Sequence, residues 1–334
     1  MNNNHGYQPP YTLTPSILTL ITQISEAVKR LAVLTDNAKA LQLRRINRIR
    51  TIHGSLAIEG NTLSEEQITA ILDGKRVIAP PREVQEVRNA IVAYDHFEQW
   101  QPEVETDLLT AHRELMNGLI DEAGSYRHSG VGVMAGKKVI HMAPPAERIP
   151  TLMSDLFNWL SIADDHPLIL SSVFHYEFEF IHPFADGNGR IGRLWQSLIL
   201  TRWNAVFANV PVESLIYEYQ AEYYQALQNS TKQTDSAPFI EFMLKIILDA
   251  VTVTPQVTPQ VSCLLKVITG EMSRETLQEA LELQDRKSFR QLYLKPALAE
   301  GLVEMTIPDK PTSRLQKYSL TRRGEQWLEV SGNL

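Results

Sequence analysis

Residues 251–261 read VTVTPQVTPQV, and no helix can run through them, because each proline lacks a backbone donor and clashes with the turn before it. The break divides the chain into a long first part and a short tail, with residues 251–262 as the expected linker. Before the break the apolar residues recur every three or four positions. Between residues 16 and 56 they fall at Ile46, Ile49, Ile52 and Leu56, with Arg44, Arg45, Arg48 and Arg50 between them. Similar helical patterns cover 83–100, 107–119, 150–162, 167–181, 191–203 and 215–229. Two short β-type runs, 131–134 and 139–142, flank Ala135, Gly136 and Lys137 and predict an isolated hairpin. After the break come helical patterns at 263–268, 273–281 and 285–294, then strand-like runs at 302–306 and 316–320. Helix, helix, helix, hairpin is the order of a winged helix. The expected fold class is mainly α: a helical bundle with one β-hairpin, plus a small C-terminal winged-helix domain at 263–334.

With 43% hydrophobic and 21% charged residues the composition is that of an ordinary globular chain. A formal net charge of −7 argues against binding nucleic acid or anionic membrane by overall charge. The arginine run shares a helix with an apolar stripe and reads as a solvated or ion-paired face. The single cysteine, Cys263, excludes an intrachain disulfide and suits a reducing compartment; among Val261, Leu264 and Leu265 it reads as buried filler. Residues 1–15 lack the charged and apolar regions of a signal peptide, and no apolar stretch reaches the ~18 residues a spanning helix needs. The expectation is a cytoplasmic protein without a membrane partner.

Residues 182–193 read HPFADGNGRIGR and gather a base, a carboxylate, a glycine-rich turn and two arginines in twelve positions. Gly187, Gly189 and Gly192 match GxGxxG, and the preceding VFHYEFEF alternates like a strand. Yet no βαβ pattern surrounds them, and Leu170, Phe174, Phe178 and Ile181 fit one helical face. The segment therefore reads as a loop running into a helix that starts near residues 188–191. Helix N-termini bind phosphate through free N–H groups, and glycines let the backbone come close. Asp186 is a hard oxygen ligand suited to Mg²⁺, Arg190 and Arg193 can reach phosphate oxygens, and His182 can take a proton from an attacking hydroxyl. The other eight histidines read as structural or surface residues.

HPFADGNGR with Arg193 resembles the signature of the Fic family, HPFx[DE]GNGRxxR, at every defined position. The resemblance implies a Fic-type bundle whose hairpin is a flap. By it, His182 is the general base, Phe184 anchors the loop, and Asp186 holds Mg²⁺. Gly187, Asn188 and Gly189 form an anion hole, and Arg190 and Arg193 handle the outer phosphates of ATP. A target Tyr, Ser or Thr hydroxyl of a protein substrate attacks the α-phosphate, leaving pyrophosphate. GSYR at 124–127 and the hairpin at 131–142 resemble the flap, whose edge at Val139, Ile140 and His141 docks an extended target segment. Tyr217, Tyr223 and Tyr224 sit where the family places an adenine-contacting tyrosine, with Tyr224 the candidate carried forward. SLAIEGN at 55–61 is similar to the inhibitory motif [ST]xxxE[GN]. Ser55 and Glu59, four apart, share one helical face, and Gly60 is placed to end that helix.

The implied organisation is residues 1–105 with the inhibitory helix, 106–250 as the Fic core, and a winged-helix tail. From residue 270 onward the tail holds ten basic and ten acidic residues, so charge does not imply DNA binding. Arg286, Lys287 and Arg290 are a local patch for DNA, and a dimerising or protein-contact role stands beside it. The expected function is a protein adenylyltransferase held off by Glu59. The alternatives are AMP removal in the same pocket, and a DNA-binding regulator that only senses ATP.

Overall fold

Helix α1 (Pro15–Leu34) buries Ile17, Leu20, Ile24 and Val28, and α2 (Lys39–Ile58) buries Ile49, Ile52 and Leu56 along the expected stripe. The computed structural model of the chain describes residues 7–34, 39–130, 132–135, 138–253, 259–283, 285–299, 301–311 and 313–332. The arginines of α2 are largely paired, Arg45 with Asp73 and Arg48 with Asp95 at 2.7 Å. α2 stops in a Schellman motif. The Gly60 N–H donates to Ala57 O at 3.0 Å and the Asn61 N–H to Leu56 O at 3.1 Å, with Gly60 at φ 91°. That backbone conformation favours glycine and leaves Glu59 as the last residue before the turn.

The bundle continues through α3 (Glu65–Leu72), α4 (Pro81–His96), α5 (Glu105–Leu115), the hairpin of β1 (Gly132–Ala135) and β2 (Lys138–Met142), α6 (Ile149–Ile162), α7 (Pro167–Ile181) and α8 (Asn188–Trp203). A 3₁₀ turn (Ala205–Asn209), α9 (Val212–Glu218), α10 (Gln220–Gln233) and α11 (Ala237–Val253) complete it. β1 and β2 pair antiparallel with an irregular register between Val133 and Met134; Val131 and the turn residues 136 and 137 lie outside the described residues. The single helix expected at 215–229 is instead two, parted at Tyr219. α3 and α11 are helices the periodicity did not mark. α7 and α8 pack on each other at the centre, and α2 packs on α9, so close that a Cβ on Gly54 would lie 2.6 Å from the Ser214 backbone nitrogen.

The chain divides into two compact units, Met1–Thr252 and Val253–Leu334. α11 runs to Val253 and α12 (Pro259–Val267) begins on a proline, whose missing N–H is not needed at a helix start. Of the expected linker, then, 251–253 and 259–262 are helical, and 254–258 lie outside the described residues.

In the second unit α12 is followed by β3 (Met272–Ser273) and α13 (Arg274–Ala280). α14 (Arg286–Ser288), a π-helical turn (Phe289–Leu294) and α15 (Lys295–Ala299) then form the third helical run. β4 (Val303–Met305), β5 (Lys317–Leu320) and α16 (Arg322–Gly332) end it, and the sheet has the order β3-β5-β4 with antiparallel pairs. Its own core is built on Val261, Leu264, Leu265, Ile268, Leu277 and Phe289. Cys263 is not part of it. The buried positions of α12 recur at three and four residues, which turns Cys263 outward, and it is exposed. Among the described residues no helix is long and apolar enough to cross a membrane.

Candidate active site

α7 is apolar nearly all round and buried along its length, and the strand-like alternation of VFHYEFEF is one stretch of this helix. Most of its few polar residues are therefore held by partners. The Tyr7 hydroxyl donates to Glu177 at 2.6 Å, and the His175 ring bonds Gln196 at 2.6 Å and the Tyr223 hydroxyl at 3.1 Å. Burial pushes His175 down to about 4, so its ring is neutral.

The chain leaves α7 at His182 in the left-handed conformation, φ 51° and ψ 62°, an uncommon state for a residue with a Cβ. Arg127 holds this corner. Its guanidinium donates to the carbonyls of His182 (2.8 Å), Ser129 (2.6 Å), Pro144 (2.7 Å) and Ile181 (3.4 Å), and its backbone N–H to Pro183 O (2.9 Å). One buried side chain thus ties the base of the hairpin to the loop. His182 Nδ1 stands 3.6 Å from Glu179 Oε2, an ion-pair distance rather than a hydrogen bond. Burial opposes charge on Glu179, but His182, His175 and Arg193 around it hold its carboxyl below the ordinary range.

Residues 183–187 are closed from inside. Phe184 is fully buried, and Asn188 clasps its backbone, accepting from its N–H and donating to its carbonyl, both at 2.9 Å. The His112 ring stacks on Phe184 with centroids 3.6 Å apart and planes within 5°. The Gly124 N–H donates to His112 Nδ1 at 2.8 Å, so the ring proton sits on Nε2, which donates to Asp186 O at 3.0 Å. Burial lowers His112 to about 4 and keeps that tautomer. His112 and His175, read from sequence as residues apart from the site, are thus part of its frame.

α8 starts at Asn188 after Gly187, whose φ is 85°, so the first N–H groups of the helix meet the loop. Asp186 Oδ1 accepts from the Gly187 N–H at 2.6 Å and from Arg190 at 3.0 Å, and Oδ2 faces Arg82 at 3.3 Å. Its side chain is 43% exposed, open to a ligand. Among the described residues no group of three or more His, Cys, Asp or Glu could hold a metal by itself. A single accessible carboxylate still fits Mg²⁺, which commonly completes its shell with substrate phosphates and water.

Arg193 is 1% exposed and is held from the far side of the loop. Its NH2 donates to Glu59 Oε1 at 2.7 Å and Ser55 O at 2.8 Å, and its Nε to Ser55 Oγ at 3.3 Å. Burial opposes this charge, but Glu59, Tyr223 and Glu179 together outweigh it and keep Arg193 protonated. A Cβ on Gly189 would lie 2.3 Å from Glu59 Oε1, so only glycine at 189 lets the carboxylate lie against the start of α8. Of the three tyrosines, Tyr223 is buried and bonded to His175, and Tyr217 is 41% exposed with its ring edge on His53. Tyr224 is half-buried, its ring edge on Tyr223, within the electrostatic reach of Glu59 and Arg193.

Known proteins resemble this chain in sequence and fold. A model of the Fic/DOC family matches residues 102–200, and one described as "Filamentation induced by cAMP protein Fic-like, C-terminal domain" matches 259–321. The crystal structure of a Fic family protein from Desulfovibrio desulfuricans G20 is 52% identical, covers 95% of this chain and 99% of its own, and superposes with a TM-score of 0.71. Fic-1 (residues 134–508) of C. elegans is 25% identical over 71% of each chain, with a TM-score of 0.60. Protein adenylyltransferase Fic of Nematostella vectensis is 30% identical over 58% of this chain and 45% of its own length. The chain thus spans about half the length of the curated relatives it matches. With the loop, its helix and the tail all matched, and one relative matched over nearly its whole length, the chain belongs to the Fic family.

Proposed function

We propose that the chain is a protein adenylyltransferase that moves AMP from ATP to a Tyr, Ser or Thr hydroxyl of a protein, and that Glu59 restrains it. The observation that carries this reading is the loop itself, with a histidine, an open carboxylate, a helix N-terminus and two arginines converging on one cradle. The names of the matched relatives support the reaction class.

Phosphates would lie against the N–H groups of Gly187, Asn188 and Gly189, with Arg190 and Arg193 neutralising the outer ones. His182 turns Nδ1 toward Glu179, leaving Nε2 to take the proton of the incoming hydroxyl; Glu179 stabilises the imidazolium that results. The hydroxyl oxygen bonds to the α-phosphorus as the bond to pyrophosphate breaks. Asp186 would hold Mg²⁺, which neutralises phosphate charge when bound. Tyr224 would pack against the adenine. Among the described residues β2 pairs only with β1, and its other edge, with Val139, Ile140 and His141, would take an extended target segment.

Restraint follows from the pairing of Glu59 with Arg193. A carboxylate on that guanidinium competes with the terminal phosphate and misplaces the α-phosphate for in-line attack. Incubation with labelled ATP and Mg²⁺ tests the reading: transfer of label to protein is expected from wild type, and its loss in excess EDTA or in Asp186→Ala. Undiminished labelling in EDTA would remove Asp186 and the metal from the account.

A further inference from the structure

We propose that a second cleft of the first unit, bounded by α2, α4, α8 and the Ala205–Asn209 turn, binds a phosphorylated nucleoside. The cleft holds about 590 Å³, within the usual range for small-molecule sites, and none of the residues of the phosphate cradle line it. Its lining combines basic, aromatic and acidic side chains. Arg44, Arg45 and Arg48 stand on one side; Arg45 and Arg48 carry partners, while exposed Arg44 has none among the described residues. Arg48 keeps a buried Nε with no partner. These donors suit a phosphate. Tyr94, Phe97 and Phe207 add aromatic side chains to the lining, suited to a planar ring.

Glu213 also lines the cleft and is 1% exposed. Its Oε1 accepts from Ser197 Oγ at 2.8 Å and from the Tyr94 hydroxyl at 3.2 Å, whereas Oε2 is buried with no partner. A buried carboxyl oxygen left bare is costly and marks a missing partner. Burial pushes the Glu213 carboxyl up. The edge of a nucleobase, with donors and acceptors side by side, satisfies Oε2 whether it is protonated or not.

The cleft is wired to the inhibitory contact. Arg193, whose Nε donates to Ser55, acts electrostatically on both Tyr94 and Glu213, and Tyr94 also senses the Ser55 hydroxyl. Arg48 and Thr51 line the cleft from the same helix that carries Ser55 and ends at Glu59. At Gly54 that helix lies against the Glu213–Ser214 backbone with no room for a methyl group, so a displaced floor moves α2 with it.

Calorimetric titration of the full chain with AMP, without Mg²⁺, tests the site in wild type, Arg44→Glu, Ala208→Trp and Arg190→Ala. Ala208 is exposed and lines the cleft, so tryptophan there fills it without replacing a buried side chain. Thermal melts of each variant establish that it is folded. The expected result is one AMP-binding event weakened roughly tenfold or more by Arg44→Glu and by Ala208→Trp but kept in Arg190→Ala. Ribose 5-phosphate, which lacks the ring, should bind that site more weakly than AMP. AMP binding unchanged in both cleft variants overturns the proposal. Absence of AMP transfer would sink the enzymatic reading and leave this result untouched.

Discussion

Replacing Glu59 by glycine removes one partner of Arg193 and leaves the other two, since Ser55 O at 2.8 Å and Ser55 Oγ at 3.3 Å still hold the guanidinium in place. The N–H that met Glu59 is then free for the phosphates proposed to lie there. A hydrogen bond between charged groups contributes about 1.5–3 kcal/mol. Glu59 is 34% exposed, and solvent screening brings the figure to the lower end, about 1.5–2 kcal/mol. At about 1.4 kcal/mol per factor of ten, AMP transfer should rise roughly ten- to thirtyfold. Glu59→Gln, whose amide oxygen can still accept from Arg193 but carries no charge, should rise by less. The assay is the initial rate of label transfer from ATP at fixed Mg²⁺, with nucleotide affinity measured separately. Arg193→Ala should not be activated, because it loses the phosphate contact along with the inhibitory one. A Glu59→Gly rate within about twofold of wild type would mean the pair is worth less than about 0.4 kcal/mol to catalysis and that SLAIEGN is only a helix end.

His182→Ala should lower transfer about 10²–10⁴-fold while ATP affinity, measured by calorimetry, changes little; an unchanged rate would put the base elsewhere. His112 and His175 both sit near 4, below the ordinary histidine value of about 6.5. The unfolded chain therefore binds more protons between those limits, and stability should fall as pH drops from about 6.5 toward 4, by up to about 3 kcal/mol for each ring. Thermal melts across that range should show a shallower loss in His112→Gln, and an equal slope in both proteins would assign the effect elsewhere. Gly54→Ala would bring a Cβ within 2.6–2.7 Å of the Glu213 and Ser214 backbone, and should cost about 1–3 kcal/mol in a denaturant titration.

Much of the site could be read from sequence because the loop packs its chemistry into consecutive residues. A helix N-terminus after Gly187 needs only local rules, and so do the end of α2 at Gly60 and the helical stripe of α7. The frame around the loop follows no local rule. Arg127 reaches the His182 carbonyl across 55 positions, and His112 reaches Asp186 across 74, so periodicity and capping carry no trace of either. GSYR gave Arg127 a place in the flap but not its four carbonyl partners. Cys263 was misjudged for the opposite reason, since apolar neighbours in sequence mean burial only if they share its face of the helix. Tyr219 parts α9 from α10 without a proline or glycine to announce it, as its φ of −104° and ψ of 36° are open to any residue.

The central claim is tested most directly by intact-mass measurement of Glu59→Gly and of a cell extract incubated with it, in Mg²⁺ and ATP. An AMP mass added to this chain or to a protein of the extract, and absent when His182→Ala is combined with Glu59→Gly, is the predicted result. No AMP mass on any protein, with ATP bound to the folded Glu59→Gly chain, would contradict it.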